Sequence, residues 1–527
     1  MQTTHTIEKT RLTRQRDLDG QKTRAERNKL GQFATPPQLA LDILRQTKKY
    51  LDPAVKVRFL DPAFGTGSFY SALRQVFPSD AIESSTGFEI DSHYGDEARR
   101  LWVDSHLSLQ IADFFSVPIR RLENERANLI VCNPPYVRHH HLSISQKVHI
   151  SRAIASSVGL KVNGLSGLYC YFLIYSHNWL AENGIGCWLI PSEFMDVNYG
   201  VAVKEYLLRK VTLLRIHRFD PNESQFDDAL VSSAVIWFKK TSPPIGHTVD
   251  FTFGGTIETP RVEKNITSSG LLGAQKWTRF TTNGQATATS TGVRLSNLFD
   301  VKRGLATGDN KFFILTPEEI NGHKLPSKFL IPILPSPRHL KRDVIEADSK
   351  GNPVVDNARF LLSCNISPQQ VKRDYPALWK YLNSGAENQV NQGYLCQHRT
   401  PWYAQENRPA SPFLCTYMGR HGSPKGSPFR FILNLSKATA ANVYLFLYPK
   451  PILARILKEH PGWAKLVWEG LQHISSDSLI HEGRVYGGGL HKMEPRELAN
   501  APADTVLESL PELQALLAES HKLPALL

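Results

Sequence analysis

The chain has 527 residues, 41% of them apolar, and 62 Lys and Arg against 49 Asp and Glu give it a formal charge of +13. The apolar share is enough for sizeable cores and too high for a disordered chain, the length suits two or three domains, and the positive excess fits a polyanionic partner. No run of roughly 18 apolar residues occurs, so no membrane span is expected. The polar stretch from Met1 to Arg16 lacks the apolar centre of a secretory signal, so the expectation is a soluble, cytoplasmic protein. The six cysteines form no C-x-x-C pair, which speaks against a zinc or redox site, and no metal is expected.

In chain order, residues 1–30 carry eight basic residues against four acids. They read as a basic arm, either helical and touching phosphates or a solvated tail. From 31 to 245, short apolar segments alternate with amphipathic ones. Val57 to Leu60, Thr86 to Ile90, Leu107 to Ile111 and Asn128 to Cys132 are predicted strands, and Ser68 to Val76 a helix. Ile185 to Ile190 and Val231 to Phe238 are further strands. This alternation implies a Rossmann-like α/β domain with a mostly parallel sheet covered on both faces. Residues 246–290, with Pro, Gly, Ser and Thr clustered at their ends, read as a boundary region. Residues 291–527, rich in Pro, Gly, aromatic and basic residues, are expected to form a mixed α+β domain.

Asp61-Pro-Ala-Phe-Gly-Thr-Gly67 follows the first strand and opens the helix. Glycines at such a turn let a ligand approach the backbone at the carboxyl ends of the strands. The third glycine of a dinucleotide fingerprint and the Gly-Lys-Ser/Thr of a P-loop are both absent. Glu89 ends the second strand, where an acid can accept from ribose hydroxyls. Asp113 ends the third, where a carboxylate can accept from an adenine amine while Phe114 or Ile90 covers the ring. Acids at three successive strand ends, Asp61, Glu89 and Asp113, point to an adenosine-bearing cofactor.

Asn133-Pro-Pro-Tyr136 ends the fourth strand. An exocyclic aromatic amine is a poor nucleophile because its lone pair is conjugated into the ring. The Asn133 side-chain oxygen and the Pro134 main-chain oxygen can accept its two N–H groups and raise electron density on nitrogen. Pro134 and Pro135 stiffen the turn, and Tyr136 offers a ring for stacking. A base in a duplex must be flipped out to reach such a site. Cys132, beside the motif, reads as a buried strand residue.

These motifs, in this order, resemble the gamma class of amino-methyltransferases, the TaqI-like modification methylases of type II restriction–modification systems. Gly31-Gln-Phe-Ala-Thr-Pro-Pro37 resembles the segment that folds over the methionine moiety of the cofactor, Asp61 to Gly67 the cofactor loop, and Gly87 to Asp91 the ribose-binding strand end. Asp113-Phe114 resembles the adenine-binding turn and Asn133 to Tyr136 the catalytic tetrapeptide. The resemblance implies a class I methyltransferase domain followed by a target-recognition domain, with S-adenosylmethionine as cofactor. Phe33, Thr35, Asp61, Ala63, Gly65, Gly67, Glu89, Ile90, Asp113, Phe114 and Asn133 would hold the cofactor. It implies N6-methylation of a flipped adenine in a short double-stranded DNA site, protecting it from a cognate restriction endonuclease. Phe226, within Gln225 to Phe238, would stack on the base together with Tyr136. From residue 291 onward, Lys302, Arg303, Arg338, Arg399, Trp402 and Arg420 are candidate DNA contacts.

A cytosine C5 methylase would need a nucleophilic cysteine after proline, and no Pro-Cys occurs. Cytosine N4 methylation shares the amine chemistry, but such enzymes usually open the tetrapeptide with serine. A non-catalytic DNA-specificity protein would have no need of three strand-end acids and an intact tetrapeptide.

Overall fold

The computed structural model describes residues 4–510 and 512, apart from 24–25, 28–29, 121, 138–142, 222, 224, 226–231, 275, 282–291, 421–426 and 487–488. The chain divides into two compact units, Met1–Ala288 with Tyr486–Gly488, and Thr289–Val485 with Gly489–Leu527.

The first unit is built on a nine-stranded sheet. Its strands are β1 (Val57–Asp61), β2 (Ile82–Glu89), β3 (Leu107–Ile111), β4 (Ala127–Cys132) and β5 (Leu180–Pro191), then β6 (Thr212–Arg218), β7 (Ser233–Lys239), β8 (Thr248–Gly255) and β9 (Pro260–Thr267). The order is β3-β2-β1-β4-β5-β7-β6-β8-β9. The first five strands are mutually parallel, and β7 lies antiparallel between β5 and β6. Segment 246–290 therefore supplies two sheet strands, β8 and β9, where the sequence suggested a boundary. β8 runs parallel to β6 and pairs antiparallel with β9.

The two faces of the sheet fill separate cores, because successive strand residues point to opposite sides. On β1, Phe59 joins one core and Leu60 the other; on β4, Leu129 and Val131 face one side, Ile130 and Cys132 the other. The first face carries α2 (Pro37–Lys48), α3 (Ser68–Val76) and α4 (Ser92–Leu101). The opposite face carries α5 (Ile144–Val158), α6 (Leu168–Tyr175) and α7 (Val201–Arg209). α3 begins where Gly67, at φ 89°, turns the chain out of the sheet. α5 starts with a reciprocal capping box between Ser143 and Gln146.

Of the two readings of the N-terminal arm, α1 (Thr4–Gly20) is the helical one, and it is docked on the fold where a solvated tail would not be. It packs on the first unit through Arg11, which is 1% exposed. The Arg11 guanidinium donates to both carboxylate oxygens of Glu8, and to the hydroxyls of Thr66 (3.1 Å) and Ser68 (2.9 Å) at the glycine turn. A guanidinium so engaged is not available to a phosphate.

The second unit is mixed α+β. Phe299–Arg303, Tyr444–Pro449, Phe413–Thr416, Phe431–Asn434 and Val344–Ile345 pair in that order into one sheet. Ile314–Leu315, Arg359–Leu362 and Leu330–Ile333 form a second. Among the described residues, no helix is long and apolar enough to cross a membrane.

Candidate active site

At the carboxyl ends of β1 to β4 lies a cavity of about 640 Å³, within the roughly 300–1,000 Å³ common for small-molecule sites. Asp61, Ala63, Gly65, Glu89, Ile90, Asp113, Phe114, Asn133 and Pro135 are on its wall, together with Phe33 and Thr35. The sequence separated these groups by up to about a hundred residues; parallel strands ending at one edge bring them together.

The acids are firmly held. Asp61 is 1% exposed and accepts the Ala63 N–H at 3.1 Å. Burial, with Glu89 nearby, raises its carboxyl to about 8. Glu89 accepts from Gly65 N–H at 2.7 Å and Asp91 N–H at 2.8 Å; burial pushes its carboxyl up, and these donors pull it back. Gly65, at φ 56°, can aim its N–H at Glu89 because it has no Cβ. Asp113 accepts the Phe115 N–H at 3.0 Å, which fixes the turn after β3. Ile90 projects into the open at 69% exposure, whereas Phe114, 2% exposed, is locked among Phe88, Phe172 and Trp179. Gly67 is not on the cavity wall. A Cβ there would lie 2.7 Å from the Phe64 ring and the Trp102 Nε1, so its role is close packing of the helix start.

The tetrapeptide meets the segment that precedes α2. Asn133 Nδ2 donates to the Phe33 carbonyl and to Thr35 Oγ1, both at 3.1 Å. The Phe33 carbonyl can only accept, so the amide cannot be turned over, and Oδ1 must face the other way. Asn133 Oδ1 is buried and has no hydrogen-bond partner among the described residues. Such an orphan costs about 1–3 kcal/mol, which marks it as an atom held ready for a donor. Gly31, at φ 65°, is wedged against the same turn. Its carbonyl accepts the Tyr136 N–H at 3.3 Å, and a Cβ would lie 2.4 Å from that nitrogen. Pro134 is buried. Tyr136 donates its hydroxyl to the Leu189 carbonyl at 3.2 Å, and its ring lies 6.0 Å from that of Phe33. Burial raises the Tyr136 phenol well above its usual range, so it is not a proton acceptor at neutral pH. Phe226 lies outside the described residues.

The cavity also has walls that motif reading missed. Gln32 and Asp91 line it, and Gln32 Nε2 donates to Asp91 Oδ2 at 2.7 Å, tying the segment before α2 to the end of β2. Asp91 is also paired with Lys22, and these partners hold its carboxyl low against the opposing effect of burial. Gln15 and Asp19 reach the wall from α1.

Of the candidate DNA contacts, Lys302, Arg303, Arg338 and Arg420 are exposed. Arg303 stacks over the Tyr417 ring at 4.0 Å. One expectation is corrected. Arg399 gives its guanidinium to the carbonyls of Ala306 and Thr307, each at 2.6 Å, so its recognition group is already engaged within the protein. Trp402 is half-buried, with its ring against Phe312 and Phe313. Among the described residues, no group of three metal-ligating side chains converges.

Two families match the chain: the Eco57I restriction-modification methylase over residues 85–226, and the C-terminal domain of the type II methyltransferase M.Eco57I over residues 274–523. Both families are those of type II restriction–modification methylases, and together they cover most of the chain. Type II methyltransferase M.AccI of Acinetobacter calcoaceticus is 26% identical over 506 residues, 92% of this chain and 87% of the relative. M.XamI of Xanthomonas campestris pv. amaranthicola is 26% identical over 475 residues, 89% of this chain and 84% of the relative. Among solved structures, the type IIL restriction–modification enzyme MmeI in complex with DNA has a TM-score of 0.51 at 13% identity, covering 93% of this chain and 73% of that one. At that identity the likeness is one of fold.

The methylase acts on DNA, and the methyl donor of such an enzyme is S-adenosylmethionine. Its cavity fits that cofactor: the wall offers carboxylates for ammonium and hydroxyl donors, an exposed Ile90 for an aromatic face, and Asn133 with its buried, unpartnered oxygen.

Proposed function

We propose that the methylase transfers a methyl group to the exocyclic N6 of an adenine flipped out of double-stranded DNA, and so protects its site from a cognate restriction endonuclease. The observation that carries this reading is the orphaned Asn133 Oδ1, fixed in direction by Phe33 and Thr35. An acceptor without a partner, beside a cavity for a methyl donor, suits an N–H of an exocyclic amine. The Pro134 carbonyl takes the second N–H. Together the two oxygens draw the nitrogen away from conjugation, so that its lone pair can point along the line of transfer. Asn133 is a neutral amide and holds the proton in a hydrogen bond without removing it; the nitrogen becomes cationic as the N–C bond forms and the S–C bond breaks, and its extra proton then passes to solvent. Tyr136 supplies a ring for the base, and its hydroxyl, tied to Leu189, keeps that ring in place.

When bound, S-adenosylmethionine supplies an electrophilic methyl group whose leaving group is a neutral thioether. Asp61 is the partner for its ammonium, Glu89 for the ribose hydroxyls, Asp113 for the adenine amine, and Ile90 covers the adenine ring. Ala63 and Gly65 would present backbone to the cofactor, and Phe33 and Thr35 would contact its methionine end. The second unit reads the DNA sequence, through exposed cations such as Lys302, Arg303, Arg338 and Arg420. The test is expression in a host free of DNA methylation, with sequencing that reports modified positions. N6-methyladenine at one short motif is expected; N4-methylcytosine, or no modification by an enzyme that binds cofactor, would overturn the reading.

Two further outcomes follow from the geometry. Thr35→Val removes one of the two acceptors that orient Asn133. A lost hydrogen bond of about 1–1.5 kcal/mol should lower kcat roughly tenfold while KM for DNA is unchanged; an unchanged kcat in single-turnover assays would separate Thr35 from Asn133.

The second concerns pH. With its carboxyl raised to about 8, Asp61 is largely protonated at neutral pH in the empty cavity. An ammonium partner requires it ionised, so cofactor binding should release a proton. Affinity should rise with pH between about 6 and 8, by at most tenfold per unit for one proton. Calorimetry in buffers of different ionisation enthalpy measures that proton, and Asp61→Asn should abolish the release. For the same reason the neutral Asp61 favours the empty fold below the ordinary carboxylate range, and this advantage fades as pH rises through about 8.

A further inference from the structure

α1 has a face that no apolar pattern reveals. Ile7, Arg11, Gln15, Leu18 and Asp19 recur at helical spacing, and each is at least partly buried. The anchoring is polar and directed at the elements that form the cofactor cavity. Arg11 binds Thr66 and Ser68. Thr66 in turn donates its hydroxyl to Gln15 Oε1 at 2.6 Å. Gln15 Nε2 donates to Asp19 Oδ1 at 3.0 Å, and the Tyr94 hydroxyl donates to the same oxygen at 2.9 Å. Further along, the Leu18 carbonyl lies 3.1 Å from His93 Nε2, and Lys22 pairs with Asp91. The helix is thus pinned to the glycine turn on one side and to the start of α4 on the other, with Asp19 on the cavity wall between them.

We propose that Asp19 is a cofactor-binding residue, a carboxylate delivered to the cavity by the N-terminal helix and held there by Gln15, Tyr94 and the buried Arg11. This rests on the reading of the cavity as the S-adenosylmethionine site. Of the polar groups that α1 brings to the wall, Gln15 has both its amide oxygen and its amide nitrogen engaged within the protein. A carboxylate has about four acceptor positions, so Asp19 retains capacity for the hydroxyl or ammonium donors of a cofactor. Its charge also complements a ligand whose sulfonium and ammonium outweigh its single carboxylate. Two basic side chains of α1 are thus engaged within the unit: Arg11 docks the helix, and Arg14 pairs with Glu97 on α4 at 3.2 Å.

The experiment is calorimetric titration of the full-length protein with S-adenosylmethionine, comparing the native protein with Asp19→Asn, Asp19→Ala, Arg11→Ala and Glu89→Ala, alongside hydrogen exchange with and without cofactor. Loss of one charge-assisted hydrogen bond should weaken binding by roughly tenfold or more in both Asp19 variants. Arg11→Ala should weaken it by undocking the helix, seen as faster exchange over residues 4–20. Cofactor should slow exchange over those residues in the native protein. Native affinity in both Asp19 variants, with exchange in α1 indifferent to cofactor, overturns the proposal while leaving the cavity assignment intact, provided Glu89→Ala binds weakly. Failure of the native protein to bind the cofactor would instead overturn the reading of the cavity itself.

Discussion

Asn133→Ala is expected to lower kcat about 10²- to 10³-fold, the scale seen when one preorganised hydrogen-bonding group is removed from a transition state. The loss has two parts. The acceptor Oδ1 disappears, and Phe33 and Thr35 lose the amide that joins them to the tetrapeptide. Thr35→Val removes one of those two anchors and leaves both Oδ1 and the Phe33 carbonyl in place, so a much larger loss in Asn133→Ala than in Thr35→Val points to Oδ1 itself. Stability should change little, because removing a buried atom that has no partner relieves a cost as well as deleting two hydrogen bonds. Single-turnover transfer of labelled methyl, with thermal melting as a control, provides the measurement. Turnover near the native rate in a folded Asn133→Ala protein would remove the basis for the proposed chemistry.

Glu89→Ala is expected to weaken cofactor binding by ten- to a hundredfold, or roughly 1.5–3 kcal/mol, with little effect on DNA affinity. Glu89 does more than face a ligand. Its two oxygens gather the N–H groups of Gly65 and Asp91, so it also shapes the glycine turn and the start of α4. Glu89→Gln should therefore give little rescue, since one oxygen becomes an NH2 group directed at an N–H. Calorimetry with cofactor and fluorescence anisotropy with DNA separate the two affinities. Native cofactor affinity in both variants would show that the ribose is held elsewhere.

Much of the central architecture could be read from the chain. Ser68–Val76 is a helix with the predicted bounds, and Leu107–Ile111 a strand with the predicted bounds. Buried parallel strands such as β4 are nearly continuous apolar runs, which are easy to find. β9 escaped because it alternates between intermediate and exposed residues, the pattern of a polar edge strand. β6 escaped because its run of Thr, Leu and Ile is broken by Arg215, His217 and Arg218, all buried. A helix near the N-terminus is one of the two readings of residues 1–30, but the docking of α1 escaped for a related reason: its inward face is mostly polar, and an apolar periodicity cannot report a buried Arg11. At the site, the order of motifs located the acids and Asn133, because strand ends converge whatever the loops do. It could not tell that Gly67 packs against Phe64 and Trp102, or that Arg399 turns inward onto two carbonyls. Those outcomes depend on neighbours supplied from distant parts of the chain.

All six cysteines are buried and reduced, and they divide evenly. Cys132, Cys170 and Cys187 lie in the first unit, Cys364, Cys396 and Cys415 in the second. In the intact fold a thiol reagent has little to attack, since Cys132, Cys187 and Cys415 are raised by burial as well as hidden. Each sulfur therefore becomes visible only when its own surroundings open. The methylase carries two sets of native timers, one in each half, and the order in which they react under mild denaturant dates the opening of one half against the other.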